Sequence, residues 1–192
     1  APREAVTANA VARVVHALSQ WCEILASCDF LPAFVYPWLD LFERDECLCV
    51  EMSVMFLLNW AAPWFKFWPS PPLHLMGAVD RLLFALDPYL SRHLANIEAT
   101  AKDFAWPLLR TCFSQVCDRS AWLYLMDHVL TQPPDHLVYI LVAFLHHCRR
   151  ALLSLETSSQ IPVFTRKALP VDPKTILRIA RDLGCDPRAH KI

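Results

Sequence analysis

Eight cysteines, eight histidines and nineteen carboxylates are the groups in this chain that could hold a metal, attack an electrophile or move a proton. Structural zinc wants two close ligand pairs of the C-x-x-C kind. The chain offers Cys47-x-Cys49 and a Cys112/Cys117 pair with four residues between them, and neither spacing fits. His146, His147 and Cys148 close a long apolar stretch, where imidazoles are expected to meet the last helical carbonyls rather than an ion. Nucleophilic Cys–His catalysis needs a contact in the fold that spacing alone does not supply. Most of the cysteines (22, 28, 47, 49, 112, 117, 148 and 185) fall in apolar helical patterns, where a free thiol behaves as a small hydrophobe. A reduced intracellular, cytoplasmic setting is therefore expected, with no cofactor and no resident metal.

Glycine excludes more. Only Gly77 and Gly184 occur in 192 residues, so P-loop, Rossmann and kinase-type phosphate loops are ruled out, as is the G-x-S-x-G nucleophile elbow. Tight hairpins also want glycine, and an all-α fold without a sheet follows. Hydrophobic types make up 55% of the residues and charged types 19%, a balance that demands a large core. The net charge of −1 provides no basic field for nucleic acid. The longest uncharged run, Met52 to Phe65, is interrupted by Asn59 and Pro63, so no integral membrane segment is expected. No charged stretch followed by an apolar one opens the chain, so no signal peptide is expected, and a first residue other than Met suggests an excised fragment.

Charge is uneven along the sequence. From Thr165 onward there are seven Lys or Arg and three Asp, a local +4 against −5 for the remainder. Arg166, Lys167, Arg178 and Arg181 are candidates for contact with an anionic membrane or an acidic partner. Arg149-Arg150 suits the negative end of a helix. Trp60, Trp64 and Trp68, with Phe56, Phe65 and Phe67, form a dense aromatic cluster whose four-residue spacing describes one buried helix face, the alternative being a partner groove.

Proline and capping residues mark the elements that position these groups. Thr7 is placed to cap a first helix with Val11, Val14, Val15, Leu18, Trp21, Cys22 and Leu25 on its core face. Helices are predicted from Pro32 to Phe42 and from Asp45 toward Pro63, the latter apolar almost all round. Ser70-Pro71 and Asp87-Pro88 predict helices over 71–86 and 88–98. Asp103, Asp118 and Asp135 predict caps for 104–116, 119–131 and 136–155. Residues 157–172 read as an extended loop, and Asp172-Pro173 starts a last basic helix stopped by Gly184.

Two stretches, LPAFVYPWLDLFERDECLCVEMSVMFLLNW at residues 31–60 and FAWPLLRTCFSQVCDRSAWLYLMDHVLTQPP at residues 104–134, together resemble the TBC domain. Phe104, Ala105, Trp106, Phe113, Ser114, Leu123 and Asp127 match a recurring pattern of that family. Its members are all-helical, and typical ones activate Rab GTPases by supplying an Arg from I-x-x-D-x-x-R and a Gln from Y-x-Q. The segments WAAPWFKFWPSPP and QIPVF look most like its WD-repeat-containing branch, associated with centrosomes, centriolar satellites and cilia or flagella.

The resemblance implies a TBC-like helical domain over residues 1–156, either whole or lacking an N-terminal part. Residues 157–192 would be packed on it or appended to it. Leu31, Pro32 and Ala33 fall where the family has Gln-Gly-Met, and leucine cannot orient a water. Neither catalytic motif, nor the family's early R-x-x-x-W, occurs in the chain, and Arg3 and Arg13 stand outside the arginine motif. No catalytic residue is thus expected, and the surface around Cys28 and Asp29 becomes a candidate partner face. The implied role is a pseudo-activator: an interaction or scaffold module whose partners are a Rab-type small GTPase or scaffold proteins of centrosome or cilium. One alternative is an active GTPase-activating protein using an Arg finger outside this chain, with the GTPase keeping its own Gln. Another is a fold that only positions flanking modules.

Overall fold

The computed structural model describes residues 2–185, with side chains from Thr7 onward. Helix α1 (Pro2–Trp21) packs with α2 (Leu31–Leu41) and α3 (Glu46–Asn59) into a three-helix corner. It begins at Pro2, a residue suited to a first turn, so Thr7 lies inside the helix rather than at its cap. Arg3 belongs to this first turn, and its side chain lies outside those described. Val14 and Leu18 are buried as their period requires, whereas Trp21 stands 49% exposed because the helix ends there.

Asp45 caps α3 by accepting from Leu48 N–H at 3.0 Å. Only one stripe of α3 is buried, led by Cys49, Ser53, Phe56 and Leu57; Leu48 and Leu58 face solvent, so the helix is not enclosed all round. After it, α4 (Leu73–Leu86) begins two residues later than Ser70-Pro71 suggests. Pro72 disfavours helical geometry at Pro71, which delays the start. Asp87-Pro88 opens α5 (Pro88–Asn96) as expected, with the Asp87 carboxylate accepting from Leu90 N–H at 3.0 Å.

The expected helix over 104–116 is instead two short pieces, α6 (Ala101–Phe104) and α7 (Trp106–Arg110). Thr100, not Asp103, is the cap: Asp103 is its partner in a capping box and accepts from Thr100 N–H at 2.9 Å. Pro107 supplies no N–H and breaks the ladder at Ala105. Asp118 caps α8 (Arg119–Leu130) through Ala121 N–H at 2.8 Å.

The 136–155 helix divides at Cys148 into α9 (His136–His147) and α10 (Arg149–Leu153), and Asp135 makes no side-chain cap. Eight of the twelve α9 residues are buried, which makes it the central strut of the core. Residues 157–172 are not wholly extended. A Thr157/Gln160 capping box opens a single 3₁₀ turn, Ser158–Gln160, leading into α11 (Ile161–Phe164), whose Ile161 and Phe164 enter the core. The last helix, α12 (Pro173–Cys185), lies against α9 and α8. Gly184 is inside it rather than beyond its end, and a Cβ there would meet the Tyr139 ring at 3.6 Å.

No strand occurs among the described residues, so the architecture is all-α. No described helix is long and apolar enough to cross a membrane.

An aromatic chain runs through the core. Trp38 meets Trp122 at 4.9 Å, Phe56 meets Trp38, Phe34 and Trp64, and Trp64 leads to Trp106 at 5.7 Å and on to Phe30. Phe56 and Trp64 are therefore core residues, while Phe67 is 50% exposed beneath Lys66.

Three helices end in left-handed residues that are not glycine. Glu43 and Arg44 follow α2, Glu98 follows α5, and Cys112 and Phe113 follow α7, all at positive φ. Each turn returns an N–H to a carbonyl five residues back: Arg44 to Leu39, Ala99 to Leu94 and Phe113 to Leu108. These are Schellman closures built without glycine.

Candidate partner-binding groove

Helices α1 and α2 diverge to leave a groove of about 1960 Å³. Ala8, Ala12 and Ser19 of α1 are too small to fill it, and Val11 and Val15 give it an apolar wall. The opposite wall is the outward stripe of α2, Pro32, Tyr36 and Asp40, at i, i+4 and i+8, extended by Glu43 and Arg44 of the Schellman turn. Tyr36 is 52% exposed at the middle of this wall. Asp40 is fixed by the Arg119 guanidinium, whose Nε donates at 2.9 Å.

The first turn of α2 decides what the groove presents. Leu31 is fully buried, while Pro32 and Ala33 line the groove. Pro37 lies inside α2 and has no N–H for the carbonyl of Ala33, four residues earlier. Ser114 fills that vacancy, its hydroxyl donating to Ala33 O at 3.1 Å.

The other candidate residues are dispersed. Cys28 is buried, with its Sγ 3.5 Å from Ile24 O, and burial leads the causes that push its thiol up to about 12. Asp29 turns away from the groove and pairs with Arg110 at 3.0 Å; that guanidinium also lies over the Phe30 ring. Arg166 lines a separate cleft of about 600 Å³ with Arg110 and Lys102, and Lys167 is exposed. Arg178 and Arg181 face a third cleft, against α8 and α9. Arg13 donates from Nε to Glu46 at 2.9 Å.

His146 and His147 stand in the last turn of α9 and Arg150 in the last turn of α10, as expected, but the imidazoles and Arg149, which opens α10, meet partners other than the last helical carbonyls. His146 Nδ1 meets Asp87 at 3.1 Å, Arg149 Nε donates to the same carboxylate at 2.7 Å, and His147 Nε2 accepts from Asp172 N–H at 3.3 Å. Among the described residues no group of three or more His, Cys, Asp or Glu is placed to hold a metal ion.

The outward stripe of α2 was readable as an i, i+4 pattern, but its pairing with α1 was not. Likewise Ser114 is visible in the sequence only as a motif residue, with nothing to indicate that it reaches Ala33.

Residues 8–171 match the family model for the RabGAP TBC domain. The chain belongs to the RabGAP TBC domain family. Relatives named TBC1 domain family member 31 agree: the Xenopus tropicalis protein is 32% identical over 171 residues, covering 89% of this chain and 16% of the relative. The human protein is 30% identical over 166 residues, covering 86% and 16%, and the Oryzias latipes protein 34% identical over 145 residues, covering 76% and 14%. This TBC domain thus spans about one-sixth of the length of those relatives.

Proposed function

We propose that this TBC domain is a protein-interaction and scaffold module that engages its partner in the α1–α2 groove without accelerating GTP hydrolysis. One observation carries the reading. At the position matching the family's glutamine finger, Leu31 is turned into the core and only the apolar side chains of Pro32 and Ala33 face the groove. Orienting a hydrolytic water needs a polar group at that position; the polar residues of the same wall, Tyr36 and Asp40, stand one and two turns further along α2. The partner class is a Rab-type small GTPase or a scaffold protein of the centrosome, centriolar satellite or cilium. That setting rests on the likeness of residues 60–72 and 160–164 to the WD-repeat-containing branch. In this reading residues 1–156 are the partner-binding unit and residues 157–192 its appended segment, of which α11 and α12 pack on it.

Activation with an arginine from outside this chain is the second reading, favoured by the openness of the groove beside the finger position. An arginine finger is worth about 10³–10⁵ in rate, enough to act while the GTPase positions its own water. Single-turnover GTP hydrolysis by a panel of Rab GTPases, with the domain in excess, separates the two. Binding to the GTP-analogue form is followed in parallel. Binding with acceleration below about tenfold supports the scaffold reading, and acceleration well beyond that overturns it.

A further inference from the structure

Lys174, Arg178 and Arg181 stand at i, i+4 and i+7 on α12, so their side chains leave the helix along one stripe. None of the three forms an ion pair among the described residues. Like charges at these spacings repel one another along a helix, so the stripe opposes folding unless an anion answers it. The carboxylates on or beside α12 answer it only in part. Asp172 accepts from the backbone N–H of Lys174 and the hydroxyl of Thr175, and Asp182, at i+4 from Arg178, offsets some of the repulsion but forms no ion pair among the described residues and lies outside the cleft.

Across from the stripe, α8 and α9 present His128 and His136, whose Nε2 atoms meet at 3.2 Å. Tyr124 and Gln132 complete the wall of a cleft of about 410 Å³. No carboxylate lines it, and each of its polar side chains carries a hydrogen-bond donor. Three cations exceed what a single carboxylate would neutralise, and a guanidinium fork matches the geometry of phosphate oxygens. The volume is that of a small-ligand site, which suits one phosphorylated ring or headgroup rather than a polymer.

We propose that the α8–α9–α12 cleft binds a phosphate ester on a small molecule or headgroup, seated between Lys174, Arg178 and Arg181 and the His128–His136 pair. Two probes test it: inositol trisphosphate in calorimetric titration, and phosphatidylcholine vesicles with or without phosphatidylinositol bisphosphate in co-sedimentation. Saturable binding is expected, weakened at least about tenfold in R178E/R181E by loss of two charge-assisted contacts. R92E/R150E, which changes exposed charges outside the cleft, should bind like the wild type. Binding in solution without recruitment to vesicles identifies a soluble ester, and recruitment competed by free inositol trisphosphate identifies a headgroup; both support the site. No saturable binding to either probe overturns it, as does equal loss in the two double variants, the mark of diffuse attraction. The neutral pair R178Q/R181Q relieves repulsion along α12 and guards against misfolding of the reversed pair. It should melt no lower than the wild type while losing binding, and wild-type binding by this variant overturns the proposal.

Discussion

The hydroxyl of Ser114 donates to the carbonyl of Ala33 at 3.1 Å, across 81 residues of sequence. Pro37 creates the need, because the helix has no N–H to offer that carbonyl. A residue of the family-like Phe113-Ser114 step thereby holds the wall of the groove in which a partner would sit.

Ser114→Ala should cost about 1 kcal/mol, the net worth of such a bond, and lower Tm by about 2–4 °C in a chain of this size. Pro37→Ala restores the helical donor. In that background the cost of Ser114→Ala should shrink by at least about half, a coupling read from a double-mutant cycle of thermal melts. Additive effects would show that the hydroxyl does not substitute for the missing N–H.

Asp87 makes the strongest polar junction in the core. It is 6% exposed, caps α5 through Leu90 N–H, and receives Arg149 and His146 from the far end of α9 and the start of α10. Burial pushes its carboxyl up. The hydrogen bonds from Arg149 and Leu90 N–H, with the charges of Arg149 and His146, outweigh burial and hold it below the ordinary carboxylate range. A group depressed in the folded state contributes stability above its unfolded pKa of about 3.9 and loses it as pH falls through the folded value. Asp87→Ala should therefore destabilise by about 2–4 kcal/mol at neutral pH, through loss of a cap and of the partner of Arg149. The deficit should narrow below about pH 4, as urea unfolding of both proteins across pH would show.

What was legible in the sequence was local. Asp45, Asp87 and Asp118 cap the helices they precede because a carboxylate needs only the N–H groups of the next turn. The rule fails twice: Asp135 makes no side-chain cap, and at Asp103 the cause is local, since Thr100 stands three residues earlier and takes the cap, leaving Asp103 to complete the box. The break at Cys148 was hidden because the apolar pattern continues across it, whereas the one at Ala105 was signalled by Pro107 and passed over by the expectation of a single helix over 104–116. The candidate groove was hidden for a different reason. Its two walls are separated by the Glu23–Ser27 turn, and only packing decides that small α1 residues face the outward stripe of α2. Family likeness proposes Leu31, Pro32 and Ala33 for the finger position, and of these three only Pro32 and Ala33 line the groove.

Glu98 shows what scarcity of glycine costs. It holds φ 58 after α5 so that Ala99 N–H can return to Leu94 O, and its side chain is exposed. A left-handed non-glycine residue costs about 1–2 kcal/mol, while glycine gives back about 0.4–1 kcal/mol through added freedom in the unfolded chain. Glu98→Gly should stabilise by about 0.5–1 kcal/mol, and Glu98→Val, with a branch at Cβ, should do the opposite. Chemical denaturation midpoints of the two variants against the wild type check the sign of each effect.

Leu31→Gln separates the alignment from the geometry. Aligned residue by residue, it would restore the family's glutamine; in this fold it places an amide where a leucine is fully buried. An unsatisfied buried polar group costs about 1–3 kcal/mol, so the variant should melt lower and still not accelerate GTP hydrolysis by a bound Rab GTPase. Pro32→Gln puts the same amide on the groove wall, where it is exposed and should alter stability by less than about 1 kcal/mol. Acceleration by Pro32→Gln but not by Leu31→Gln would mean that the groove retains the geometry of an activator and lacks only a polar group facing the water. Acceleration by Leu31→Gln would instead require the first turn of α2 to rotate on binding, and would count against the core placement of Leu31 in the partner-bound domain.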